Sequence, residues 1–324
     1  MKKDIQELIK ALKSKDETKR DMAVIELMDT GVQAAGELLK AVNDANPGVR
    51  GPALEILAFL AGERVIPVLV EKLADINQKV RHVVDKALRK YKYSEALIDA
   101  YLEQLKSFND ELVIEILVRL EEYKTAKVAK ATIPILNHRN YFVKTRAFIT
   151  LCRIPNIAVT QDLLDYFERE KDEEFRVRCL ETLHYIADYK AVPVLGKYLG
   201  KESKVLNRGL IWTIGSIGGM EALKVLTAYA LENRHKGNIN YKLLSEAIGL
   251  VLNSLGMWGL PLEYLSQKNE VIRELINELR PGYVFDTKYY VFNSNYFHEQ
   301  VAKRGFDYRQ YEKLFRSPGK KRDR

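Results

Sequence analysis

The feature that most constrains this chain is a column of short polar residues recurring about every 31 positions. Asp16, Asn46, Asn77, Asn109, Asn140, Asp172, Ser203, Asn240 and Asn269 all have side chains that accept hydrogen bonds from the orphan N–H groups of a helix start. Three residues after each stands an anchor. Lys19, Val49, Val80, Leu112, Val143, Phe175 and Leu206 follow one another at steps of 30, 31, 32, 31, 32 and 31, and Leu243 and Ile272 follow after 37 and 29. Four residues beyond the anchors come Ala23, Ala53, Val84, Ile116, Ala147, Cys179, Leu210, Ala247 and Ile276. Eight beyond come Leu27, Leu57, Leu88, Leu120, Leu151, Leu183, Ile214 and Val251, and Arg280 breaks the column just before Pro281. Apolar residues at this interval make one stripe along a helix.

The stretch Asp44–Gly62 is the clearest copy. Asn46 is placed to cap, Pro47 takes the first helical position, where its missing N–H costs nothing, and Gly62 ends the helix. Second apolar-periodic segments, such as Glu63–Leu73 and Ala191–Leu199, lie between the anchor helices. Each repeat is therefore predicted to be a helical hairpin. One hairpin cannot bury its apolar face alone, so the copies must stack. The predicted fold class is all-α, an α-solenoid of about nine hairpins over residues 1–280.

Here the chain resembles HEAT repeats of the short, bilin-lyase-like type. Val49–Arg50 and Val80–Arg81, preceded by Asp44/Asn46 and Asp75/Asn77, carry the resemblance. It implies a ladder in which the Arg of one repeat meets the first Asp of a neighbour. Arg20, Arg50, Arg81, Arg176 and Arg273 match the Arg position, and Lys144 keeps its charge. Val113, Asn207 and Leu244 do not match, so the ladder is expected to break in the middle and late repeats. The class spans scaffolds, transport factors, a few enzymes and DNA-repair proteins, and fold alone does not choose among them.

Charge is uneven along the chain. Residues 281–324 hold ten Lys/Arg and five Asp/Glu, so most of the net +8 lies there. They also hold eleven of the 31 aromatic residues, which is unlike a disordered tail. This extension is expected to cover the open end of the stack, with a partner-docking segment as the alternative. The start, MKKDIQELIKALKSKDE, lacks a long apolar run and reads as neither signal peptide nor membrane span. Cys152 and Cys179 read as buried free thiols of a reducing compartment, and the chain as cytoplasmic.

In the HEAT arrangement the second helices line the concave side. Positions three and ten after the anchor should then miss the core and face inward. Arg146 and Arg178 hold the first position, and Arg153 and Tyr185 the second, while Arg208 and Trp212 lie close by in the next repeat. Arg146, Arg153, Arg178, Tyr185, Arg208 and Trp212 are the expected partner-binding residues, because Arg, Tyr and Trp dominate binding hot spots. Repeat four is acidic (Glu111, Glu115, Glu121, Glu122) and reads as a solvated face. The basic insert around Glu232–Asn240 reads as a surface loop.

The sequence carries no complete catalytic or metal motif. His298–Glu299 lacks the second histidine of the zinc motif, Ala302 standing in its place. His82, His138, His184 and His235 have no Cys or His at ligand spacing. Gly215–Ser216–Ile217–Gly218–Gly219 falls on a hairpin turn and lacks the spacing of a phosphate loop. One enzyme reading rests on residue types alone: Trp212, Glu181 and Arg178 are the types used by HEAT-like DNA glycosylases. The expectation is a non-catalytic adaptor or assembly scaffold with no cofactor and no small-molecule substrate, binding a protein with an acidic surface. Nucleic-acid binding is the alternative.

Overall fold

The computed structural model describes residues 4–233 and 241–254. Every regular element among them is helical. The chain divides into two units, Met1–Ile154 and Pro155–Arg324. This division falls inside the span that the sequence reads as one stack, whereas the expected boundary at residue 281 lies outside the described residues.

The first unit contains five hairpins. They pair α1 (Ile5–Ala11) with α2 (Glu17–Thr30), α3 (Ala35–Ala41) with α4 (Pro47–Leu60), α5 (Ile66–Glu71) with α6 (Gln78–Leu88), α7 (Glu95–Gln104) with α8 (Asp110–Leu120), and α9 (Ala126–Thr132) with α10 (Tyr141–Arg153). The second unit, as far as it is described, contains three. They pair α11 (Thr160–Arg169) with α12 (Glu173–Ile186), α13 (Ala191–Gly196) with α14 (Lys204–Ile217), and α15 (Gly219–Asn233) with α16 (Tyr241–Ser254). Even-numbered helices pack on even-numbered neighbours and odd on odd, as in α2 on α4, α12 on α14, and α11 on α13. Each unit is thus a two-layered stack of helical pairs, as the repeat register requires.

The sequence explains where the even-numbered helices start. All seven capping residues in the described span, from Asp16 to Ser203, accept from an N–H of the first turn. Asn240 and Asn269 lie outside the described residues. A second device, two residues upstream, escapes the sequence reading. Ser14, Asp44, Asp75, Ser107, His138 and Glu170 each accept from the backbone N–H of the capping residue itself. These six turns are therefore closed on both sides of the cap.

The apolar stripe forms the core. From Ala23 to Ala247 the residues four after each anchor are buried, as are those eight after, from Leu27 to Val251. Lys19, the first anchor, is exposed. Repeats approach one another closely through small residues. A methyl group at Gly215 would lie 2.6 Å from the Ala247 Cβ and 2.8 Å from its Cα, so α14 and α16 meet nearly backbone to backbone. Glycine is required again at the end of α14, where Gly218 and Gly219 adopt φ of 76° and 83° and Gly219 N–H donates to Ser254 Oγ at 3.0 Å. The turn is thus confined to Gly218 and Gly219, and Gly215 is a packing residue inside α14. Buried hydroxyls add cross-repeat bonds: Thr150 Oγ1 donates to the Leu117 carbonyl at 3.1 Å, and Thr213 Oγ1 to the Leu180 carbonyl at 3.2 Å.

Candidate functional site

Of the arginines expected to form the ladder, Arg50 and Arg176 reach an acid of the next repeat, whereas Arg20 and Arg81 donate to carbonyls of their own turns. Arg50 forms a forked pair with Asp75 at 2.8 and 2.7 Å and also donates to the Asp44 and Ala45 carbonyls. Burial pushes the Asp75 carboxyl up, but Arg50 and the Asn77 N–H together hold it below its usual value. Arg176 repeats the fork in the second unit with Glu202, at 2.8 Å on both oxygens, and its guanidinium lies over the Phe167 ring at 4.4 Å. Hydrogen bonding from Arg176 holds the Glu202 carboxyl below its usual value. Where the Arg is replaced, other chemistry closes the gap. Val113 is buried in the core, and Asn207 accepts from Gly200 N–H and donates to Tyr229 Oη.

The expected binding residues fall in both units. In the first, Arg146 and Arg153 lie on α10 and both pair with Glu121, the Arg153 bond measuring 2.7 Å. The Glu121 side chain is only 12% exposed. It is therefore no member of a solvated acidic face, and the reading of Glu121 as one is corrected. The cause is geometric: it follows the last residue of α8, within reach of both arginines and of Thr150 Oγ1 at 3.5 Å. Arg146 is largely covered, at 19%, while Arg153 stays 61% exposed. Arg119, on α8, is likewise committed to Asp85 and Glu115.

In the second unit, Arg178 and Tyr185 lie on α12, and Arg208 and Trp212 on α14. Arg178 pairs with Glu174 one turn earlier, at 2.8 Å. Arg208 is exposed, one turn before Trp212. Tyr185 is 58% and Trp212 43% exposed. Between them sits His184, whose ring meets Tyr185 edge-on at 5.1 Å and stacks on Trp212 at 6.4 Å. Burial lowers the His184 pKa, against the opposing pull of Glu181, so the ring is neutral at pH 7. Its Nδ1 is buried without a hydrogen-bond partner. The structure thus joins Tyr185 and Trp212 through a histidine that the sequence reading weighed only as a metal ligand. The available signal was its place beside Tyr185, one repeat before Trp212.

Among the described residues no group of three or more His, Cys, Asp or Glu side chains is placed to hold a metal ion. No helix among them is long and apolar enough to cross a membrane. Cys179 is buried with Sγ donating to the Leu163 carbonyl at 3.1 Å, and Cys152 is half-buried; neither is in a disulfide. Most of the basic insert, residues 234–240, and the aromatic extension, residues 281–324, lie outside the described residues.

No curated protein matches the chain. Among solved structures, an engineered protein is 18% identical over 77% of this chain and 77% of its own, with a TM-score of 0.39. Human deoxyhypusine hydroxylase is 19% identical over 77% of this chain and 94% of its own, with a TM-score of 0.32. Kap95p, solved with RanGDP, is 14% identical over 93% of this chain and 47% of its own, with a TM-score of 0.45. The family model of HEAT repeats matches residues 5–97 and 160–237, more than half of the sequence, and the chain belongs to the HEAT-repeat family.

Proposed function

We propose that the protein is a non-catalytic protein-binding adaptor or assembly scaffold whose partner engages the α12–α14 face. The observation that supports this most is the pair of exposed rings, Tyr185 and Trp212, joined through half-buried His184 on the packed helices α12 and α14. Rings in such a setting supply apolar contact area at low entropic cost. Arg208, exposed on the same helix as Trp212, offers a planar fork for a carboxylate of the partner. Arg146, Arg153 and Arg178 already neutralise Glu121 and Glu174. Their contribution to an acidic partner is correspondingly smaller than the sequence suggests, and aromatic contact leads.

The test is affinity capture from the native lysate with nuclease-treated and untreated arms, followed by binding isotherms on the captured protein. Trp212→Ala is expected to weaken binding by about 2 kcal/mol, as for a hot spot, with an unchanged melting temperature. A lowered melting temperature with unchanged affinity would make Trp212 a packing residue and remove this face. Capture lost on nuclease treatment would point to nucleic acid instead.

A further inference from the structure

Across the α12–α14 junction two exposed rings stand beside an exposed carboxylate. Leu180 and Thr213 pin the junction: the Leu180 side chain fills the space over Gly209, and its carbonyl accepts from Thr213 Oγ1 at 3.2 Å. Glu181 follows the one and Trp212 precedes the other, and both are exposed. His184 joins them: its ring stacks on Trp212, and the Glu181 carboxylate acts on it electrostatically. Tyr185 meets the same ring edge-on. The other charges nearby can be assigned. Arg176 is held by Glu202 and Arg178 by Glu174. Glu173 and Lys204 stand at the helix starts, about two turns before Glu181 and Trp212. Asp188 and Lys190 carry opposite charges in the turn after α12, and Glu246 is half-buried on α16. Glu181 and Arg208 are left, and neither has an ion pair among the described residues.

The same unit holds a filled version of this arrangement. The Arg176 guanidinium lies 4.4 Å from the centre of the Phe167 ring and 5.9 Å from that of Tyr198, and those two rings meet edge-on at 5.3 Å. Its fork holds both oxygens of Glu202. Rings, carboxylate and arginine thus satisfy one another. We propose that at Trp212 the arginine comes from the partner protein, its guanidinium lying over the indole and forking onto Glu181; this rests on the reading of the α12–α14 face as the docking face and names the side chain that face receives. A guanidinium is planar and weakly hydrated, so it stacks on a ring while its N–H groups still reach a carboxylate, which a compact ammonium does less well. Neutral His184 adds no repulsion. Arg208 stands one turn, about 6 Å, along α14 from Trp212, open to a carboxylate of the same partner. The charges of Glu181 and Arg208 offset each other at long range, so contact rather than steering selects the ligand.

Two titrations test this. In the first, the Trp212 indole N–H signal of the full chain is followed by NMR against a glycine–serine peptide carrying one arginine, beside peptides carrying citrulline or lysine in its place. Trp212→Phe identifies the signal among the two tryptophans. The arginine peptide is expected to shift it saturably, and citrulline, which keeps the shape and loses the charge, to bind more weakly. Glu181→Gln should weaken the arginine peptide about fivefold, the upper value for an exposed ion pair, with an unchanged melting temperature, since the side chain is exposed. In the second, Glu181→Gln and Trp212→Ala are compared on the captured partner. Weakening by both supports the arginine. Weakening by Trp212→Ala alone keeps the docking face and overturns the arginine, whereas weakening by neither overturns the face itself. The arginine is also overturned if no peptide shifts the signal, if citrulline or lysine binds as tightly, or if Glu181→Gln binds the arginine peptide as wild type does. Self-association lost in Glu181→Gln, seen by sedimentation, would assign the arginine to a second copy and overturn its place on a partner.

Discussion

A single asparagine shows how this chain turns composition into geometry. Asn77 Oδ1 accepts from Lys79 N–H at 2.9 Å and Val80 N–H at 3.4 Å, while its own N–H is taken by Asp75. Asn77→Ala is expected to cost about 1 kcal/mol, the usual cost of a lost cap, measured as a fall in the urea midpoint. Glu202 works at the same scale through charge. Its pKa is lowered in the folded state, so the Arg176 pair contributes stability that is full above the ordinary carboxylate range and is lost as pH falls through the depressed folded value. Glu202→Gln should therefore be less stable than wild type at pH 7, and the gap should close on acidification below about pH 4. A gap that holds constant into acid would show that the pair contributes nothing through its charge. These residue-scale devices were unevenly legible. The caps were readable because their residue types recur in register. Their upstream acceptors were not, because Ser, Asp, His and Glu share the role and no single type marks the column.

At the scale of the helix, the small residues of α14 decide how repeats approach. Gly209 and Gly215 leave space that Leu180 and Ala247 fill from the neighbouring even-numbered helices. Gly215→Ala gains helix propensity, about 1 kcal/mol. The added methyl meets the Ala247 backbone, however, and overpacking of this kind costs ~1–3 kcal/mol. The expected result is a net loss of thermal stability, and a rise in melting temperature would show that α14 and α16 can part at no cost. The sequence reading placed Gly215–Gly219 in a turn, which is right for Gly218 and Gly219 only. Gly215 lies inside the helix, and its reason is a neighbour some thirty residues away that no local pattern reveals. Glu121 escaped for the same cause: one turn of repeat four says nothing of two arginines on α10.

At the scale of the molecule, the repeat register was legible and the division into two units was not. The last hairpin of the first unit ends at Ile154, with φ −117° and ψ 52°, immediately before Pro155. A proline at that point cannot extend the helix, and it disfavours helical geometry in the residue before it. The sequence reading gave Pro155 no weight because the capping column continues past it without a break. Each stacked pair in the first unit leans only on its neighbours, so the fragment 1–154 is expected to fold alone. Circular dichroism with a cooperative urea transition checks this, and a fragment without one would show that the first unit depends on the second.

The doubly closed turns have a consequence for how such a chain changes over generations. The bonds that start an even-numbered helix, from the upstream acceptor through the cap to the first turn, connect residues no more than three positions apart. One copy of about 31 residues therefore carries its own complete starting instruction. Tandem duplication or loss of a whole copy leaves every remaining instruction intact, whereas a gap of ten residues removes a cap from its stripe. The lineage is free to lengthen or shorten by whole repeats, and the surfaces on individual repeats can diverge without altering the signal that folds them.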